Sequence, residues 1–241
     1  MAYLVAFLDI LGTKEMVRRD RFSDMRAIDF TNVVGVASRS KPNMHFAVFS
    51  DSVIVSCNKE FVHDFILILQ FIYGQWFSDH IFVRGGIELG EINWVDYPVT
   101  DNKFNQLENF SYARVYGKAL IEAYEIEQKS GPGAICYVSE EASKLLLQAN
   151  ENYILNGITD MLIWADERLI DRLHRTFDLL MKKDNLDKKA QRHIKATYKY
   201  FSELKNSGKF LPPRYDYSEF DSYEAKLGCP EQCPNSKKTT S

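Results

Sequence analysis

Residues 3–8 form an unbroken apolar run, Tyr-Leu-Val-Ala-Phe-Leu, too short for a buried helix, and read as a buried strand. Residues 21–38 carry apolar positions at helical spacing. Two further apolar runs, 45–49 and 53–57, are separated only by Ser50-Asp51-Ser52, which predicts a hairpin. Residues 61–77 are a strongly apolar helix that Gly74 does little to interrupt. Residues 81–89 and 91–95, with glycines at 85, 86 and 90, read as a second hairpin. The polar stretch 96–112, with Pro98 and three Asn, reads as a long loop. A helix follows over 116–129 and is stopped by Ser130-Gly131-Pro132-Gly133. Residues 134–138 read as a strand, Ser139 as the N-cap of a helix beginning Glu-Glu-Ala, and 161–165 as a further short strand.

From Asp166 the pattern changes. Residues 166–183 and 187–206 are two charged amphipathic helices with no β-type run between them. After Gly208 the chain is rich in Pro, Tyr and charge, and the composition of its last dozen residues is that of disorder. Strands and helices in this order predict an α+β fold of ferredoxin-like type, an antiparallel sheet with helices packed on it and C-terminal helices added.

With 241 residues, 45% hydrophobic and 26% charged, the chain can bury a sizeable core. A net charge of −3 gives no electrostatic case for nucleic-acid binding. No apolar run reaches membrane-span length, so no membrane association is expected. The start lacks a signal peptide's basic region, and Asp9 interrupts its apolar run early. Of the four cysteines, Cys57 and Cys136 fall in apolar runs and read as reduced core residues, which suits the cytoplasm. Cys229 and Cys233 lie in the polar tail without a further Cys or His nearby to complete a metal site.

Two short acidic turns carry the chemistry. Asp9 ends the first apolar run and is followed by Gly12-Thr13, and Asp51 sits at the tip of the first hairpin. Each alone is an ordinary turn Asp. Together, on neighbouring strands, they are what a pair of hard divalent cations needs. The third feature is Val83-Arg84-Gly85-Gly86-Ile87-Glu88-Leu89-Gly90, and the fourth is Val115-Tyr116-Gly117-Lys118-Ala119-Leu120, followed by Glu122-Ala123-Tyr124.

On these four motifs, spread over roughly residues 3–140, the sequence resembles the class III nucleotidyl cyclases. Within that family it is most similar to the small pyrimidine cyclases of the bacterial Pycsar anti-phage system, through the Ser-Asp-Ser hairpin and the Gly-x-Ala-Leu-Ile-x-Ala-Tyr helix. With the change of pattern at Asp166 and after Gly208, this gives an expected cyclase catalytic domain over 1–165, a helical extension over 166–208 and a tail over 209–241. The resemblance implies two Mn²⁺ or Mg²⁺ ions per site, held by Asp9, Asp51 and the carbonyl of Ile10. The amides of Leu11, Gly12 and Thr13 can cradle phosphate, with Gly12 allowing close approach, and Lys14 is placed to reach one. The resemblance also implies a homodimer with interfacial active sites. The C-terminal helices suit either a brace for that dimer or a cover on a single chain.

Departures from the family pattern narrow the substrate. Arg114 stands where purine cyclases carry an acidic or polar base-reading residue, and Ala47 where they carry Lys or Glu. An Arg only donates hydrogen bonds, which suits the carbonyls of uracil. The family's transition-state Asn and Arg fall at Ile121 and Glu125. Arg84 and Lys118 are the candidate replacements, although Arg84 on a buried-looking strand also suits an internal salt bridge to Glu88 or another acid. The implied activity is conversion of UTP to cyclic UMP, a messenger acting on a separate effector. CTP cyclisation, purine cyclisation, a non-catalytic nucleotide-binding module and a polymerase-like palm are the alternatives.

Overall fold

The computed structural model describes residues 2–18, 24–95, 115–182 and 186–212. The expected loop at 96–112, Arg114, Cys229, Cys233 and most of the tail lie outside these residues. At the centre is β1 (Tyr3–Ile10), buried without a break from Leu4 to Ala6 and at alternate positions beyond, its side chains pointing in turn to the two faces. Leu4, Ala6, Leu8 and Ile10 enter the main core, while Val5 enters a smaller cluster on the opposite face. This period of two commits β1 to the middle of a sheet covered on both sides.

After α1 (Thr13–Arg18) and α2 (Asp24–Ser40) come β2 (Met44–Phe49) and β3 (Ser52–Asn58), the predicted hairpin. α3 (Val62–Ser78) carries the expected apolar helix through Gly74. β4 (Val83–Gly90) pairs with β1 on the side opposite β3. Beyond β5 (Asn93–Trp94) and β6 (Val115–Tyr116) lie α4 (Lys118–Lys129), β7 (Cys136–Val138) and α5 (Glu140–Ala149). β8 (Ile154–Leu155) and β9 (Asp160–Leu162) complete a seven-stranded sheet of order β2-β3-β1-β4-β7-β9-β8. All its ladders are antiparallel except β4 with β7. The fold is therefore α+β, as the element order predicts.

Two expectations are corrected. Residues 91–95 do not return along β4; β5 pairs instead with β6 as a separate two-stranded ribbon. The strand placed at 161–165 is three residues long and pairs with β8, which the sequence pattern had not announced.

α2 and α3 cover one sheet face, with Phe30 stacked on Trp76 at 4.5 Å between ring centres. α4 covers the other face against β1 and β4, where Ala119 and Ala123 are fully buried. This packing is close: a Cβ on Gly86 would lie 2.1 Å from the carbonyl oxygen of Ala123. Cys57 and Cys136 are buried free thiols, both pushed up to about 12 by burial.

α6 (Glu167–Met181) and α7 (Lys188–Ser207) add their apolar faces to the main core. Trp164 packs between Phe77 and Phe201, at 4.7 and 5.9 Å. The chain then returns at Leu211, whose amide donates to the carbonyl of Ala165 at 3.0 Å. The two helices thus lie on their own chain's core. Among the described residues no helix is long and apolar enough to cross a membrane.

Candidate active site at the sheet rim

Strand register fixes the first carboxylate. Asp9 is flanked by Ser52 on β3 and Arg84 on β4. It shares the α4-facing side of β1 with Val5 by the two-residue period. Ser52 Oγ donates to Asp9 Oδ1 at 2.7 Å. The second carboxylate, Asp51, occupies the β2–β3 turn, entered through Ser50 with φ of 55°. Ile10 N–H donates to the Asp51 carbonyl at 3.0 Å, tying that turn to the end of β1. Asp9 and Asp51 consequently line one cavity of about 520 Å³.

Desolvation pushes the Asp9 carboxyl up to about 6. The Ser52 hydrogen bond opposes this, Glu127 and Asp51 add to it, and Arg84 opposes it more weakly. Two acids at a partly buried rim with insufficient compensating charge suit a hard cation. Among the described residues no group of three or more His, Cys, Asp or Glu side chains is gathered for a metal. Asp9 and Asp51 would therefore hold such an ion with the help of the Ile10 carbonyl, water and substrate oxygens.

The turn after β1 also lines the cavity, from Ile10 to Lys14. Gly12 has φ of 84°, and within the protein a Cβ there would meet nothing within 4 Å. Backbone conformation, rather than crowding by the protein, is what calls for glycine. Leu11 N–H donates to the Phe82 carbonyl at 2.8 Å. This corrects the expectation of three open amides: those of Gly12 and Thr13 remain without a partner among the described residues, and that of Leu11 does not. Thr13 Oγ1 donates back to the Ile10 carbonyl at 3.3 Å.

Arg84 reaches the cavity wall but is bound within the protein. Its Nε donates to Glu127 Oε1 at 2.5 Å, its Nη2 pairs with the same oxygen, and its Nη1 donates to the Gly131 carbonyl at 3.3 Å. Glu127 is fully buried on α4, and Gln128 Nε2 donates to its other oxygen at 2.5 Å. The acid that Arg84 needed is thus Glu127 and not Glu88, which accepts from Leu89 N–H and Ser139 Oγ. Sequence reasoning passed over Glu127. Its signal was present in the i, i+4, i+8 row of Ala119, Ala123 and Glu127 on the buried face of α4.

Much of the remaining wall comes from α6, from α7 and from its cap Asp187, through Phe177, Leu180, Asp187, Lys189, Ala190, His193, Ile194 and Thr197. Sequence reasoning assigned no site residue there. α7 is anchored where β7 begins: Gly133 N–H donates to His193 Nδ1 at 3.0 Å, and Ala134 N–H to Thr197 Oγ1 at 2.8 Å.

Other candidates lie elsewhere. Lys118 is exposed at the start of α4, pairs with Glu122 at 3.3 Å, and is absent from the cavity lining. Ile121 is 61% exposed, and Glu125 pairs with Lys129 at 2.6 Å. Ala47 is buried in the small cluster beneath α4. Tyr124 is 48% exposed and meets Phe7 edge-on at 5.3 Å.

No protein-family profile matches the chain, and no curated protein matches it. Solved structures do. One is the monomeric guanylyl cyclase domain of the RhoGC fusion protein from the aquatic fungus Blastocladiella emersonii, at 12% identity and a TM-score of 0.48, covering 67% of this chain and 94% of that one. A second is the guanylate cyclase domain of RhGC from Catenaria anguillulae in complex with GTP, at 11% identity and a TM-score of 0.45, covering 66% and 92%. A third is a bacterial light-regulated adenylyl cyclase, at 15% identity and a TM-score of 0.45, covering 60% and 45%.

Proposed function

We propose that this chain is a metal-dependent nucleotidyl cyclase that converts UTP to 3′,5′-cyclic UMP and pyrophosphate. The observation that carries the reading is the convergence of Asp9 and Asp51 on one cavity beside the Gly12-Thr13 turn. Two Mn²⁺ or Mg²⁺ ions would offset phosphate charge and make the ribose 3′-oxygen a better nucleophile. Asp9, oriented by Ser52, and Asp51, held by its turn, fix where that charge is neutralised. The amides of Gly12 and Thr13 are open to phosphate oxygens, and Lys14 is in reach of them. The 3′-oxygen bonds to the α-phosphorus as the bond to pyrophosphate breaks, and the hydroxyl proton leaves to solvent.

Uracil preference rests on the residue types: Arg114 as donor, with Ala47 too small and apolar to read a purine edge. A homodimer with interfacial sites is supported by the exposed apolar side chains Tyr116, Ile121 and Tyr124 on and beside α4. A cyclic messenger for a separate effector in anti-phage defence follows from the Pycsar resemblance. A non-catalytic nucleotide-binding module is the second reading, favoured by Ile121 and by the Glu125–Lys129 pair at the positions of the family's transition-state residues.

The test is incubation with Mn²⁺ and each of the four nucleoside triphosphates, with products resolved by chromatography. Cyclic UMP as the main product is expected. A cyclic purine overturns the base assignment, and no cyclic product from any substrate overturns the enzyme. Asp51→Ala should reduce turnover by at least about a hundredfold with an unchanged melting temperature. Retained turnover would sink the metal assignment.

A further inference from the structure

The second wall of the cavity has no role in the reading above, and its composition is specific. Lys189, Ala190, His193, Ile194 and Thr197 are one face of α7, spaced as i, i+1, i+4, i+5 and i+8. That face is held by the two amides of Gly133 and Ala134 and by Tyr200, whose hydroxyl donates to the Leu162 carbonyl at 2.5 Å. Thr197 is buried and His193 partly buried, while Lys189 is exposed in the first turn of the helix.

Its polar groups have a defined direction. His193 Nδ1 accepts the Gly133 amide proton, so the imidazole carries its own proton on Nε2, which has no partner among the described residues. Burial and the nearby cations Arg84, Lys189 and Arg192 hold the ring below its ordinary value, Asp187 opposing, which keeps it a neutral donor. Lys189 and Lys14 line the cavity and make no ion pair among the described residues. Asp187 accepts from Ala190 N–H as the helix cap.

Charge balance then asks for these groups. A nucleoside triphosphate brings about four negative charges, two divalent cations about four positive, and Asp9 with Asp51 about two negative. Arg84 is neutralised by Glu127 and contributes no net charge. With Asp187, which also lines the cavity, the excess is about three negative charges, and Lys14 on one side of the cavity and Lys189 on the other offset about two of them.

We propose that α7 is half of the triphosphate subsite, with Lys189 and the Nε2–H of His193 binding the terminal phosphates from the same chain that supplies Asp9 and Asp51. This rests on the reading of the cavity as a triphosphate site, and it places part of the missing positive charge in the C-terminal helix. His193 and Lys189 are binding residues in this scheme, and Thr197 positions the helix.

Calorimetric titration with inorganic tripolyphosphate in Mn²⁺ tests the assignment without requiring turnover. Lys189→Glu should weaken binding roughly tenfold or more with an unchanged melting temperature. His193→Asn keeps an acceptor near the Nδ1 position and removes the far donor, so it should weaken binding. His193→Gln, which can place a donor near the Nε2 position, should recover part of the loss. Lys195→Glu, on an exposed face of α7 outside the cavity, should bind as wild type. An equal loss in Lys195→Glu would reduce the effect to diffuse charge and overturn the proposal. Wild-type binding in Lys189→Glu and His193→Asn, with loss in Asp51→Asn, would overturn the α7 subsite and leave the metal-triphosphate reading standing. No binding by the wild type would overturn both.

Discussion

Burial makes the charged form of the Asp9 carboxyl costly to the fold. Its pKa is raised from 3.8 to about 6, so the native state holds the proton more tightly than the unfolded chain does. The stabilising share of that proton is complete below pH 3.8 and is lost as pH rises through about 6. With a chelator present at pH 8, Asp9→Asn should therefore stabilise the protein by about 1 kcal/mol, after discounting for solvent screening of this partly buried group. The gain should vanish toward pH 4. Urea denaturation at both pH values measures it, and a variant less stable at pH 8 would contradict the assignment of strain to this carboxylate. Glu127 presents the opposite case. Glu127→Leu leaves Arg84 in a largely buried site without its acid and should cost about 3–5 kcal/mol. Adding Arg84→Met should restore part of that loss, as a double-mutant cycle would show. These two residues also mark the limit of sequence reading. Asp9, Asp51 and the Gly12 turn were legible because each follows a short apolar run that fixes where it ends. The burial of Glu127 was legible in the row of Ala119, Ala123 and Glu127, but its pairing with Arg84 was not, because that contact joins β4 to α4 across a sequence separation that no local pattern encodes.

At the scale of elements, the close contact of β4 and α4 positions the Arg84–Glu127 pair. Gly86 is buried, and its missing side chain admits the backbone of α4, with Glu127 N only 2.7 Å from where a Cβ would stand. Both opposing atoms are main chain, so neither can turn away. Gly86→Ala should accordingly cost about 2–3 kcal/mol, at the upper end of overpacking penalties, and lift α4 from the sheet. Thermal denaturation reads the first effect, and loss of triphosphate binding the second. A variant that melts as wild type would mean that the helix relaxes freely. The elements themselves were readable in proportion to their length. β1, the β2–β3 hairpin, α3, α6 and α7 each span enough residues to show a period. β5, β6, β8 and β9 are two or three residues long and show none, so their pairing follows from tertiary position alone. The misplaced second hairpin has that cause: Asn93 and Trp94 find partners at Tyr116 and Val115, beyond a long polar segment, rather than in the adjacent strand.

For the whole molecule, the question is whether the C-terminal helices are an addition or a structural necessity. Leu169, Ile170, Leu173, Phe177, Tyr200, Phe201 and Leu204 are all buried in the core that contains Leu4, Leu8 and Trp76. At about 1.5–3 kcal/mol for each large apolar side chain removed from water, these contacts contribute more than about 10 kcal/mol. That matches or exceeds the net stability of a typical domain, about 5–15 kcal/mol. Loss of α6 and α7 would also bare Trp164 and Phe77, which they cover. A chain ending at residue 165 should therefore give no cooperative thermal transition and should bind an apolar dye at room temperature, where the full chain melts in one step. If the shortened chain melted cooperatively while failing to bind tripolyphosphate, the helices would be dispensable for folding and needed only for the site. The shared core predicts that folding and site formation are lost together, because α7 reaches the cavity of Asp9 and Asp51 only by completing the core beneath it.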